Sequence, residues 1–289
     1  MTRLALIASA ILIAPSAMAQ VTDHSAHEGH TPPAEQKPAE DHAAHGQMDH
    51  SKMDHGAAHT EGGHAQTHTM QSAFGPYAST RDASGTSWVP DASTHGGIHA
   101  TAGDWMLMGH ATLDGVYSSQ DGPRGDEKAF AAGMLMGTAQ RSIGNNGTLQ
   151  VRAMLSPDPL MGKSGYPLLL AAGETADGVD TLVDRQHPHD FIMELSASYA
   201  HRLSNTDSVF VYAGLPGEPA FGPPAFMHRP AAMVSPEAPI THHWMDSTHI
   251  TFGVLTAGWV HDNFKLEASR FRGREPDQSR YNIETGELD

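Results

Sequence analysis

The stretch Gly144-Asn145-Asn146-Gly147-Thr148-Leu149-Gln150-Val151-Arg152-Ala153-Met154-Leu155 decides the fold class. Its first four residues make a tight turn, and from Thr148 the chain alternates strictly. Leu149, Val151, Ala153 and Leu155 oppose Thr148, Gln150, Arg152 and Met154, so an extended chain here carries apolar groups on one face and polar groups on the other. A turn leading into such alternation is the mark of antiparallel β-structure.

The same period recurs on both sides. Trp105, Leu107, Ala111, Leu113 and Tyr117 oppose Met106, Met108, His110, Thr112 and Asp114. Phe191, Met193, Leu195, Ala197 and Tyr199 oppose Ile192, Glu194, Ser196 and Ser198, while Phe264, Leu266 and Ala268 oppose Lys265, Glu267 and Ser269. Seven strands are expected, at 104–117, 129–142, 148–155, 191–202, 208–215, 249–260 and 264–272. Their connections alternate long and short: 118–128, 156–190 and 216–248 are long, while 144–147, 204–207 and 261–263 are tight. Outer-membrane barrels show this asymmetry, with short periplasmic turns and long external loops, and several strands reach the ten residues that a tilted crossing requires. A soluble periplasmic β-sandwich or jelly roll is the alternative, since it also alternates along short strands. The expected fold is therefore all-β, an antiparallel transmembrane β-barrel over 104–289. With an odd strand count and a last strand running outward, the barrel is expected to be incomplete at the C-terminus.

Upstream of the strands the character changes. Arg3, an apolar run over 4–15 and Ala17-Met18-Ala19 read as a signal peptide over 1–19, which predicts export. Residues 20–70 have almost no large apolar side chain and are expected to be a disordered periplasmic tail, followed by a linker over 71–103 that becomes ordered toward its end. The chain has 289 residues, 17 Lys plus Arg against 33 Asp plus Glu, no cysteine, 21 histidines and 15 methionines. The acidic balance argues against nucleic acid, and the missing cysteine excludes disulfide scaffolds, zinc ribbons and thiol nucleophiles.

Histidine is the outlier. The tail offers His24, His27, His30, His42, His45, His50, His55, His59, His64 and His68, with Met48 and Met53 in the repeat Met48-Asp49-His50-Ser51-Lys52-Met53-Asp54-His55. Imidazole suits Cu(II), Zn(II) and Ni(II), and thioether suits Cu(I), so copper is the expected ion, with zinc or nickel as alternatives. The repeat, over residues 47–58, resembles the Met/His repeats of periplasmic and outer-membrane copper-resistance proteins. The body over 88–275 resembles instead a family of uncharacterised bacterial outer-membrane proteins. That resemblance rests on Gly103-Asp104-Trp105-Met106-Leu107-Met108, Asp184-Arg185-Gln186-His187-Pro188-His189-Asp190, Phe226-Met227-His228-Arg229-Pro230 and His242-His243-Trp244-Met245-Asp246-Ser247-Thr248-His249. It implies a barrel in contact with outer-membrane lipid, with periplasmic metal-handling proteins as partners.

Two of these body segments carry metal chemistry in their own right. Pro188 biases His187 toward extended geometry, where His187 and His189 project the same way, with Asp184 or Asp190 as a further ligand or supporting acceptor. The second segment offers His242, His243, Asp246 and His249, and His228 lies at the same outer end. Convergence of these loops on one ion is expected; loop histidines that merely bond to backbone are the alternative. The motifs of serine hydrolases, zincins and phosphate-binding loops are absent, so the protein is not expected to be an enzyme, although a metal-dependent hydrolytic site at His187 and His189 stays open.

Overall fold

The computed structural model describes residues 70–93, 97–246, 248–274 and 276–288. The expected signal peptide, and every expected metal ligand of the tail from His24 to His68, lie outside the described residues.

The described chain is all-β and antiparallel, with ten strands: β1 (Ile98–Ala102), β2 (Trp105–Ser119), β3 (Glu127–Ile143), β4 (Gly147–Leu155), β5 (Tyr166–Thr175), β6 (Thr181–Gln186), β7 (Ile192–Arg202), β8 (Asp207–Gly214), β9 (Val254–His261) and β10 (Phe264–Phe271). Eight form one sheet in the order β1-β2-β3-β4-β7-β8-β9-β10, and β5 pairs with β6 apart from it. The seven strands read from alternation are β2, β3, β4, β7, β8, β9 and β10. β9 begins at Val254 rather than 249, because the preceding residues turn through Gly253 at φ 91°. The sheet is open: β1 and β10 are its edges, and no pairing among the described residues closes it into a barrel.

Two expectations are corrected here. The long loop expected at 156–190 contains the β5–β6 hairpin, whose register breaks twice and whose Leu170 and Asp184 take positive φ, so no clean alternation announces it. Nor is the stretch expected as a linker over 71–103 merely a connection. It supplies edge strand β1, and residues 71–93 lie against the inner face of the large sheet.

Small side chains let that segment approach closely: Ser72, Ala73, Ala83, Ser84 and Thr86 are all buried. Its carbonyls are taken up by the sheet, Gln71 O by Gln140 on β3, Ala83 O and Gly85 O by Arg152 on β4, Phe74 O by Ser208 on β8, and Thr86 O by Lys265 on β10. A short segment can touch four strands of an eight-stranded sheet only if the sheet curls around it.

The curled sheet has inverted polarity. Its inner face buries Gln140, Gln150, Arg152, Glu194, Ser196, Ser198, Thr256 and Lys265, with Arg152 Nη1 3.5 Å from Glu194 Oε2. Its outer face exposes Leu113, Leu135, Val151, Leu195, Val211, Leu255 and Leu266 to the surroundings. One residue breaks the pattern. Met193 was expected beside Leu195 on the outer face, but the β4–β7 register shifts at Met154/Leu155 and Met193 turns inward, 1% exposed.

Candidate metal centre

Three connections meet at the long-loop end of the sheet: the turn after β4, the link from β6 to β7, and the β8–β9 connection. In the first, the N–H of Asp158 donates to Ser156 Oγ at 3.1 Å, which starts a short helical turn and sets the Asp158 carboxylate inward. Asp158 Oδ2 accepts from the backbone N–H of His189 at 3.3 Å and lies 2.7 Å from its Nδ1. A proton on Nδ1 satisfies that contact and leaves the Nε2 lone pair free, the tautomer a metal needs.

In the third connection a single helical turn, α1 (His242–Met245), spaces His242 four residues from Asp246. His242 Nδ1 lies 3.2 Å from Asp246 Oδ2, though outside hydrogen-bonding geometry. Asp246 Oδ2 itself is held by the Phe226 N–H at 2.9 Å and Arg229 at 3.1 Å. His249 Nδ1 donates to the Asp246 carbonyl at 2.5 Å. Asp246 thus holds His249 through its backbone carbonyl and sets a carboxylate beside His242.

The outcome is convergence. One donor atom each from His189, His242 and His249 lie within 4.8 Å of one another. His189 Nε2, His249 Nε2 and both ring nitrogens of His242 are buried with no hydrogen-bond partner. A buried polar atom left unpaired costs about 1–3 kcal/mol, and here such atoms come from three neighbouring imidazoles. Metal–nitrogen bonds of about 2.0–2.1 Å need donor atoms roughly 3.4 Å apart in a tetrahedral set, so the rings would close by about 1 Å around an ion.

Electrostatics favour the same ligand. Burial pushes His242 down to about 2, helped by the neighbouring His189 and His243 and by Arg229. Burial likewise holds His249 well below the ordinary imidazole range, with His242 and His189 adding to it. These rings stay neutral and keep their lone pairs near pH 7.

The other expected ligands stand around this trio. His187 Nδ1 lies 3.0 Å from Glu174 Oε2, and its ring is 5.1 Å from that of His243 and 5.8 Å from that of His189. The extended link thus sends the two histidines to different neighbours. Burial and the charges of His189, Arg280 and His243 keep His187 well below its usual range. Asp190 Oδ1 pairs with Arg280 at 3.0 Å, and burial raises the Asp190 carboxyl to about 6. His243 Nε2 is 3.0 Å from Gln186 Oε1, and His228 Nε2 is 3.4 Å from Met154 Sδ. The set closed around one point is His189, His242 and His249, with Asp246 behind it.

Sequence reasoning missed Asp158, Glu174 and Arg280. Asp158 sits 31 residues from His189, and Arg280 sits 90 residues from Asp190. Only the Ser156-Pro157-Asp158 turn carries a local signal, and it predicts a bend rather than a partner. No family model, curated protein or solved structure matches the chain.

Proposed function

We propose that the protein is an outer-membrane metal-binding protein that holds one divalent transition-metal ion, copper above zinc or nickel, between His189, His242 and His249. The observation that carries this reading is the convergence of three imidazoles, two buried and one half-buried, each with a buried ring nitrogen that has no protein partner. An all-imidazole set suits Cu(II), Zn(II) and Ni(II), and the order of divalent affinities puts Cu(II) first. His189 and His242 are 5% and 1% exposed and His249 is half-buried, a setting that favours holding an ion.

The membrane part of the reading rests on the outer face. On it Ala111, Leu113, Ala131, Leu135, Ala153, Ala197, Val211, Ala257 and Ala268 are uncharged, and the charged Glu127, Arg141 and Arg270 stand near strand ends. Toward the tight turns the outward set includes Trp105, Tyr199, Trp259 and Phe264, the aromatic type found in an interfacial girdle, with His201 and His261 beyond two of them. Apolar groups outside and a charged interior reverse the soluble arrangement, and a lipid surround accounts for the reversal. The histidine-rich tail adds metal capacity, and the whole serves metal tolerance or trafficking.

The test is metal stoichiometry of the full-length protein purified from membranes, with His189→Ala, His242→Ala and His249→Ala singly and in pairs. Each single change should remove the tightest bound equivalent of Cu(II), and pairs should remove no more, because ligands of one ion act as a unit. Wild-type stoichiometry and affinity in all three single variants would sink the assignment.

A further inference from the structure

Five methionines gather beside the imidazole centre. Met134, Met154 and Met193 are 3%, 4% and 1% exposed and pack with Ile250, and Met136 and Met227 pack against them. They come from β3, from β4, from the start of β7 and from the β8–β9 connection. Methionine in a core is ordinary gap filling, so the cluster alone proves little.

Two further observations give it direction. His228 Nε2 and Met154 Sδ are in hydrogen-bonding contact at 3.4 Å. An ion bound between them would replace that bond and find imidazole nitrogen and thioether sulfur already side by side. The second is the register shift at Met154/Leu155, which turns Met193 from the outer face to the inner one. Irregularities of this kind re-aim single side chains at sites of use. Met154 and Met193 then line one small cavity together with His249, Glu194 and Glu218.

We propose that Met154, Met193 and His228 form a second metal site, a thioether–imidazole site for a soft monovalent cation, Cu(I) or its analogue Ag(I). Thioether selects such ions, while the neighbouring three-imidazole set selects borderline divalent ones. His249 borders both, so the two sites sort ions by softness within one end of the sheet. The soft site stands on its own residues and does not require the three-imidazole centre to be filled.

Ag(I) is the probe. The full-length protein, labelled with 13C at its methionine methyls, is titrated with silver nitrate, and the resonances are assigned with Met154→Leu and Met193→Leu. Leu for Met conserves volume and should keep the fold. The expected result is a shift of the Met154 and Met193 methyls on tight Ag(I) binding. Met154→Leu and His228→Gln should each lose one Ag(I) equivalent relative to wild type, against an unchanged contribution from the tail. Cobalt(II) titrated into the same variants reports the imidazole centre, and its absorption should survive Met154→Leu but not His242→Ala. Unmoved Met154 and Met193 methyls at saturating Ag(I), or an unchanged Ag(I) count in both variants, would overturn the soft site. A cobalt signal that persists in His242→Ala would count against the three-imidazole centre and leave the soft site standing.

Discussion

Acid separates the buried centre from the histidine tail. An exposed imidazole has a pKa near 6.5, so at pH 5 only about 1 in 30 is neutral. A site made of three such ligands loses affinity by about 30-fold per ligand, or roughly 30,000-fold in all, because each proton must be displaced before the ion can bind. In the buried centre the native state has already done this. His242 is held down to about 2 and His249 well below its usual range, both chiefly by burial. A lowered pKa means the neutral, metal-ready form persists as pH falls, so neither ring has a proton to give up between pH 7.5 and 5.0. Two ligands of the set are thus already in the metal-ready form, and the loss over that interval should fall far short of that of an exposed site. The assay is Cu(II) titration of full-length protein at pH 7.5, 6.0 and 5.0, resolved into strong and weak classes. One equivalent should persist at pH 5.0 and vanish in His242→Ala, while the remainder disappears through pH 6.5. If the equivalent removed by His242→Ala itself falls by more than a thousandfold at pH 5.0, burial does not protect the ligands and the reasoning fails.

Three further outcomes follow from the geometry. Asp158→Asn removes the carboxylate that fixes the His189 tautomer and should weaken the same Cu(II) equivalent by about 10–100-fold without changing stoichiometry; equal affinity in titration calorimetry would deny Asp158 that role. Arg152→Ala strands the buried Glu194 and frees the carbonyls of Ala83 and Gly85, a change that costs about 3–5 kcal/mol where a buried pair is broken. Limited proteolysis should then cut within residues 71–93 in the variant only, and equal resistance would show that the segment is held some other way. Cysteines introduced at Asn145 and Asn205 in the tight turns should react with an impermeant reagent only from the periplasmic side, and those at Gly125 and Gly178 only from outside; a protein recovered without membrane would end the membrane reading.

What the sequence revealed, and what it hid, follows from the range of each interaction. β4, β8 and β10 were legible because alternation is a local property, set by neighbours two residues apart. The β5–β6 hairpin escaped because Tyr166-Pro167-Leu168-Leu169-Leu170 is a run of one character and its partner strand is irregular. Residues 71–93 looked like a linker because small and polar residues mark flexible chain when nothing covers them. Here Arg152 and Lys265, far along the sequence, cover them. At the site, the segments holding His189, His242 and His249 stood out by composition. Which imidazoles would meet, and that His187 would turn to Glu174 instead, depends on contacts across tens of residues that no spacing encodes.

The inner segment also dictates an order of assembly. Residues 71–93 emerge from the ribosome before any strand, yet their carbonyl at Thr86 is claimed by Lys265, 179 positions later. Loop-closure entropy must be overcome before such a distant contact stabilises anything, so this region should be slow to settle. A chain released before β10 would hold its early segment by β3, β4 and β8 alone, with the far margin of the sheet undecided. Lys265 on β10 thus binds one of the earliest described segments to one of the latest.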